Sequence, residues 1–282
     1  MVRVRDDSID AWLQQRSANG NQISGFDAAG WEANTWILHA MYERRGLDLE
    51  LTYDDLHRHE LATPSQGTDR DVDDVVRELT GLSLGWSEPR EPEWVRLRWS
   101  ALASRLGITL DGAWPPNDHW FGSRSWPVTI HLPEDGTMDE HSLDRLIWSL
   151  SQLDPRGAST PCFAYFAPLV TGDWDHVEAY YGPLGGIPSL ADESGWESTP
   201  NNFWAEDRSW LAFTDADLTA TRVSGSADLV TMLDQDPELE TLHWDRPYRP
   251  RPIRDPSLWT RLRLGPRFAV RRALEALQRR VR

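Results

Sequence analysis

The sequence predicts an α+β fold in which two related strand-helix-strand modules, an internal duplication, pack as one domain and are followed by a C-terminal basic amphipathic helix. Three observations lead there. Eighty-four positions apart the chain repeats one pattern, Pro116-Asn117-x-x-Trp120-x-x-x-Arg124-Ser125-Trp126 and Pro200-Asn201-x-x-Trp204-x-x-x-Arg208-Ser209-Trp210, with six of eleven positions identical. Each copy then runs into a short apolar stretch, a helical pattern and an Asp-Pro stop, at Asp154-Pro155 and Asp236-Pro237. Self-similarity at a fixed spacing describes architecture before function. Strands alternating with covering helices point to a sheet with helices on one side. From Pro266 onward, Val270, Leu274, Leu277 and Val281 fall at helical spacing among arginines, the mark of a basic amphipathic helix.

Residues 1–23 read as a polar N-terminal segment with a brief helical pattern around Ile9, Trp12 and Leu13, and the core is expected to begin near Gly25-Phe26. The run Thr35-Trp-Ile-Leu-His-Ala-Met-Tyr42 is strand or buried helix start, and periodicity does not decide so short a run. Thr52-Tyr-Asp-Asp55 predicts a helix cap leading through Leu56 and Leu61. The Trp31-x4-Trp36 pair before this segment makes it a candidate third copy. Residues 64–95 are acidic and turn-rich, with a short helix over Asp71–Leu79 and a loop at Ser87–Pro92. Trp94–Leu106 alternates between strand-like and helical character.

The first copy, residues 116–167, predicts a strand over Val128–Leu132, a helix over Asp139–Leu153 and a strand over Cys162–Ala167. Thr137-Met-Asp-Glu140 fits a capping box, and Leu143, Leu146, Ile147 and Leu150 form the buried face. The second copy, residues 200–244, predicts strands over Trp210–Phe213, Ala220–Val223 and Leu239–Trp244, with a helix over Ser226–Leu233. Between the copies, Trp174–Asn202 is rich in Gly, Pro and acids, and it reads as an irregular loop of functional type. An acidic Trp-rich domain thus spans 24–245, and 246–282 is an Arg/Pro-rich linker and helix.

Composition restricts the chemistry. The 282 residues carry 16 tryptophans against 6 tyrosines and 7 phenylalanines, and no lysine. Arginine as the sole strong base, with abundant Ala and Asp, points to a GC-rich genome; adaptation to salt is the second reading. Net charge is −16, but residues 246–282 hold twelve arginines against Asp255 and Glu275, which leaves the rest of the chain at −26. An acidic body repels nucleic acid and attracts basic partners, and the basic tail does the opposite. Cys162 is single, which excludes a disulfide framework and a cysteine zinc site. Pro161–Val170 is too short to cross a bilayer, and Met1–Asp7 has no apolar stretch resembling a signal peptide. A cytoplasmic protein is expected.

Candidate chemistry is sparse. His57-x-His59-Glu60 offers ligand types, yet the two histidines are two apart on a predicted helix and face different ways, so a solvated face is expected and no metal or other cofactor. Glu206, Asp207, Asp215 and Asp217 are carboxylates near turns, able in principle to divide acid and base roles, though Asp favours turns for its own backbone bonds. Ala101–Thr109 imitates the first half of a helix-turn-helix, but Asp111-Gly-Ala-Trp-Pro-Pro116 forbids the recognition helix. Arg124 and Arg208 each lie between tryptophans, an arrangement suited to cation–π stacking. No phosphate loop, dinucleotide fingerprint or nucleophile elbow occurs.

The stretch Asn201–Trp244, with Phe203-Trp204-x-x-Asp207-Arg208-Ser209-Trp210, Thr214-Asp215 and Val223-Ser224-Gly225-Ser226, resembles uncharacterised proteins of high-GC bacteria, some of which look like immunity proteins of polymorphic toxin systems. The resemblance covers about a sixth of the chain and carries no catalytic residues. It implies a protective binding role. The expected function is therefore a non-enzymatic protein-binding module masking a basic partner through Trp120, Arg124, Trp126, Trp174, Trp204, Glu206, Asp207, Arg208, Trp210, Asp215 and Asp217. Two alternatives stand beside it. One is a carboxylate-dependent hydrolase. The other is a membrane- or nucleic-acid-associated protein attached through Arg267, Arg271, Arg272, Arg279, Arg280 and Arg282.

Overall fold

The computed structural model describes residues 1–5, 8–17, 23–45, 52, 54–55, 93–110, 120–123, 125–131, 133, 135–193, 195–196 and 198–243. The chain divides into two compact units, 1–245 and 246–282; the second, with all the arginines named in the basic tail, lies outside the described residues. So do the His57–Glu60 cluster, the Asp71–Leu79 helix, the Ser87–Pro92 loop and Arg124.

The strands are β1 (Val2–Val4), β2 (Ala33–Leu38), β3 (Met41–Arg44), β4 (Trp94–Leu97), β5 (Ile130–His131), β6 (Pro161–Phe166), β7 (Glu178–Pro183), β8 (Asn202–Ala205), β9 (Leu211–Thr214), β10 (Ala220–Gly225) and β11 (Thr241–Leu242). The helices are α1 (Ala11–Arg16), α2 (Trp99–Leu106), α3 (Glu140–Ser151), α4 (Pro168–Thr171), α5 (Leu190–Glu193) and α6 (Ala227–Asp234). Eight strands form one sheet in the order β1-β7-β6-β8-β9-β10-β2-β11, every pair antiparallel, and β4-β3-β5 form a second. The architecture is α+β.

Side chains alternate across the large sheet because successive Cβ atoms point to opposite faces. One face presents Ile37, Cys162, Ala164, Phe166, Phe203, Ala205, Ala212 and Val223, and α3 and α6 lie on it through Leu143, Leu146, Ile147, Leu150, Leu229 and Leu233. The small residues among these strand positions let the helices approach. Each fully buried leucine contributes on the order of 1.5–3 kcal/mol, so this face is the main core.

The other face is covered as well, which the expectation of helices on one side did not include. Tyr165, Trp204 and Leu211 pack there under Trp12, Leu13, Phe26 and Ala28. The N-terminal segment is thus part of the body: α1 seals this face, and β1 adds an edge strand, pairing Arg3 with Tyr180. Six helical residues leave too short a period for sequence to show which core they join.

Buried polar groups set the connections. Asn201 Oδ1 accepts from Ala167 N–H at 2.8 Å, and its amide donates to Thr214 O at 3.2 Å. Asn202 Oδ1 accepts from Phe26 N–H at 2.7 Å, and its amide donates to Phe26 O at 3.0 Å. Both side chains are fully buried, so the asparagine of the repeated motif is a structural clamp satisfying backbone groups that water cannot reach.

Of the two readings of the Thr35–Tyr42 run, the structure shows strand: two strands in two sheets, broken at His39-Ala40, where Ala40 N–H donates to Asp139 Oδ2 at 2.6 Å. Two expectations need correction. The cap of α3 is Asp139 and not Thr137: Asp139 Oδ1 accepts from Ser142 N–H at 2.8 Å, while the Thr137 hydroxyl pairs with that of Ser198 at 3.0 Å. The stretch Trp174–Asn202 is no loop throughout, since β7 lies inside the sheet between β1 and β6. Its Glu178 is buried and pairs with Arg3, a charge that hides the strand from any apolar pattern. Thr52 Oγ1 accepts from Asp55 N–H at 3.3 Å, while the helix expected to run on through Leu56 and Leu61 lies outside the described residues. Ser226 caps α6 through Leu229 N–H at 3.2 Å. No helix among the described residues is long and apolar enough to cross a membrane.

Candidate binding surface

The tryptophans of the repeated motif are mostly packing elements. Trp204 and Trp210 are buried, the latter edge-on to Phe203 at 6.0 Å. Trp120 and Trp126 each meet Trp99 edge-on at 5.8 Å, and Trp99 Nε1 donates to His39 O at 2.8 Å. Trp174 stands apart, 55% exposed.

Glu206, Asp207 and Arg208 share the exposed β8–β9 turn. Tyr181 Oη donates to Glu206 Oε1 at 2.9 Å, and Asp207 Oδ1 accepts from Ser209 N–H at 3.0 Å. Arg208 takes a left-handed conformation, φ 60°. Its guanidinium does stack on an indole, but on Trp12 of α1, 4.9 Å from the ring centroid, and not on a tryptophan of its own motif. Trp12 in turn meets Trp204 edge-on at 5.8 Å. Folding of α1 over the sheet brings that indole in, which spacing along the motif cannot foresee.

Asp215 and Asp217 lie in the β9–β10 turn. Asp215 is 3% exposed; its Oδ2 accepts from the Ser24 hydroxyl at 3.1 Å and its Oδ1 from Asp217 N–H at 3.0 Å. Burial pushes the Asp215 carboxyl up to about 6, against the lowering effect of the Asp217 amide. The Asp217 side chain is exposed. Cys162 is buried in the helix-covered core, where loss of water pushes its thiol up to about 12, so it is an inert core thiol.

A further concavity belongs to residues outside the expected set. A groove of about 400 Å³ opens between α3 and α6, lined by Arg145, Trp148, Asp228, Met232, Asp236 and neighbours. On α6 and its C-cap Gln235, the lining positions 228, 231, 232 and 235 form one ridge, as i, i+3, i+4, i+7 spacing dictates. Arg145 Nε donates to the buried Asp236 Oδ2 at 2.5 Å, and the same guanidinium lies 4.0 Å from the centroid of Trp148. Trp148 is 48% exposed. Of the two carboxylates in the lining, Asp228 is exposed and Asp236 buried. Glu140 and Asp144 are exposed on α3, while Asp234 and Glu238, also exposed, pair with His243 and His141.

The signal for Trp148 is present in the sequence. It falls off the 143, 146, 147, 150 stripe, on the polar side of an amphipathic helix where an indole has no packing reason to be. What conceals it is the abundance of tryptophan elsewhere. Among the described residues no group of three or more His, Cys, Asp or Glu side chains is placed to hold a metal ion. No family model, curated protein or solved structure matches this chain.

Proposed function

We propose that this chain is a non-enzymatic protein-binding module that masks a basic partner, in the manner of an immunity-type protein, in a cytoplasmic setting. The observation that supports the reading is the outer surface of α3 and α6, where the half-exposed Trp148 shares a groove with the exposed Asp228, on helices that also carry the exposed Glu140, Asp144 and Asp234. Tryptophan is the residue type that most often dominates an interface, and a field of one sign speeds encounter with the opposite sign and excludes like-charged partners. The internal duplication is part of the same proposal: α3 and α6 lie on the same face of one sheet, although the strand before α3, β5, belongs to the second sheet.

Affinity purification of the full chain and of a 1–245 truncation from the native host, at low and moderate salt, tests the reading. One stoichiometric basic protein retained by both supports it. Retention of lipid or nucleic acid alone, lost on truncation, transfers the function to the basic tail.

A second reading, carboxylate-dependent hydrolysis, is favoured by one observation: the Asp215 carboxyl stands near 6, in the range of a general acid. Asp215→Asn leaves a binding protein able to bind and removes turnover from an enzyme of this kind.

A further inference from the structure

We propose that the groove between α3 and α6 accepts an arginine-bearing segment of the partner, with Trp148 as the apolar anchor and Asp228 as the carboxylate that receives the guanidinium. The inference rests on the basic-partner reading and gives it a location and a chemistry.

The charges within the groove decide its preference. Arg145 is the cation of the lining, and it is already committed twice: its Nε to the buried Asp236, and its plane to the indole of Trp148. That commitment has two effects. It neutralises Asp236, so the uncompensated charge of the lining is that of Asp228. It also holds one side of the indole, which fixes the orientation of Trp148 before any partner arrives, while nearly half of the residue stays accessible. A preformed anchor saves the ordering cost that a free side chain imposes on binding.

Shape and charge then select the ligand. Met232, packed against the core and lining the groove, supplies a soft apolar floor that adapts to a flexible stem. An arginine has such a stem, with a planar head that stacks on indole and forks onto a carboxylate. An anionic or purely apolar segment meets the exposed Asp228 of the lining and is disfavoured by repulsion or by desolvation of that charge. Ammonium groups of lysine can approach but neither stack nor fork.

Calorimetric titration of the full chain with a synthetic peptide of four Ala-Arg-Leu repeats, its lysine counterpart and its citrulline counterpart, at low salt, tests this. The expected order is arginine over lysine over citrulline. Trp148→Ala weakens the arginine peptide by about 10-fold or more, Asp228→Asn weakens it several-fold, and Leu106→Ala, at the exposed end of α2, leaves it unchanged. Trp148 and Leu106 are both exposed, so unchanged circular dichroism and Tm are expected. Wild-type affinity in Trp148→Ala, with loss in the Glu206→Gln/Asp207→Asn double variant, overturns the groove while sparing the basic-partner reading. Equal binding of the arginine and citrulline peptides by the wild type overturns both.

Discussion

Arg208 holds its guanidinium 4.9 Å from the ring centroid of Trp12, which ties the β8–β9 turn to a helix almost two hundred residues earlier in the chain. The arginine does so from a left-handed backbone, φ 60°, a conformation that costs a non-glycine residue on the order of 1 kcal/mol. Two opposing contributions therefore meet at one residue. Arg208→Ala removes the stacking and keeps the strained backbone, whereas Arg208→Gly removes both. The glycine variant is expected to unfold at higher denaturant than the alanine variant, with the difference about 1 kcal/mol. Equal midpoints in urea would mean that the backbone at 208 carries no strain.

Asn202 closes a buried circuit: it accepts from Phe26 N–H and donates to Phe26 O and Ala212 O. Leucine fills similar space and leaves these backbone groups without partners, each costing roughly 1–3 kcal/mol. Asn202→Leu is expected to lower stability by about 3 kcal/mol or more. Hydrogen exchange should show the loss first at Phe26, because its N–H is held by this side chain. Unchanged protection there contradicts the assignment.

The same residues show what sequence can and cannot disclose. The spacing Leu143, Leu146, Ile147, Leu150 makes α3 legible because a helix that covers a sheet must show a 3.6-residue period, and Ser226 before Leu229 likewise marks the start of α6. Asn201 and Asn202 appear in the motif, but their clamping role depends on Ala167 and Phe26, brought from distant segments. Strand β7 is obscured for a different reason: its buried Glu178 is compensated by Arg3 on β1, a pairing that exists only once the sheet has formed. Of the candidate site, Glu206–Arg208 and Asp215–Asp217 fall on consecutive turns at opposite ends of β9, so the sheet holds them apart. The groove itself needs α3 and α6 side by side, which no local pattern specifies.

Gly136 occupies another close contact. Its φ is +74°, its N–H donates to Leu218 O at 2.8 Å, and a Cβ there would lie 2.7 Å from Ala216 Cα. Backbone meets backbone, so no flexible side chain can yield. Gly136→Ala should destabilise by about 2 kcal/mol or more, combining left-handed strain with overpacking, and should displace the β9–β10 turn. A thermal midpoint within 2 °C of wild type would show that the two turns separate freely.

Displacement of that turn bears on Asp215, whose burial is the source of its pH dependence. In the folded chain its carboxyl stands near 6 against an ordinary value of 3.8. Between those values the folded state holds a proton that the unfolded state has released, so stability falls as pH rises through this window and is lowest, as far as this group is concerned, above 6. Two units correspond to about 3 kcal/mol. Asparagine can keep both contacts, accepting from Asp217 N–H and bonding the Ser24 hydroxyl, without ever ionising. Asp215→Asn should therefore be more stable than wild type at pH 7, by as much as about 3 kcal/mol, and the gap should close toward pH 4 as the wild-type carboxyl becomes neutral in both states. Urea titrations of both proteins across pH 4–7 measure this directly, and taking their difference cancels the many other carboxylates of the body. A gap that is constant with pH would assign the effect to altered hydrogen bonding, and a gap that widens toward pH 4 would mean that the folded state favours the ionised carboxylate.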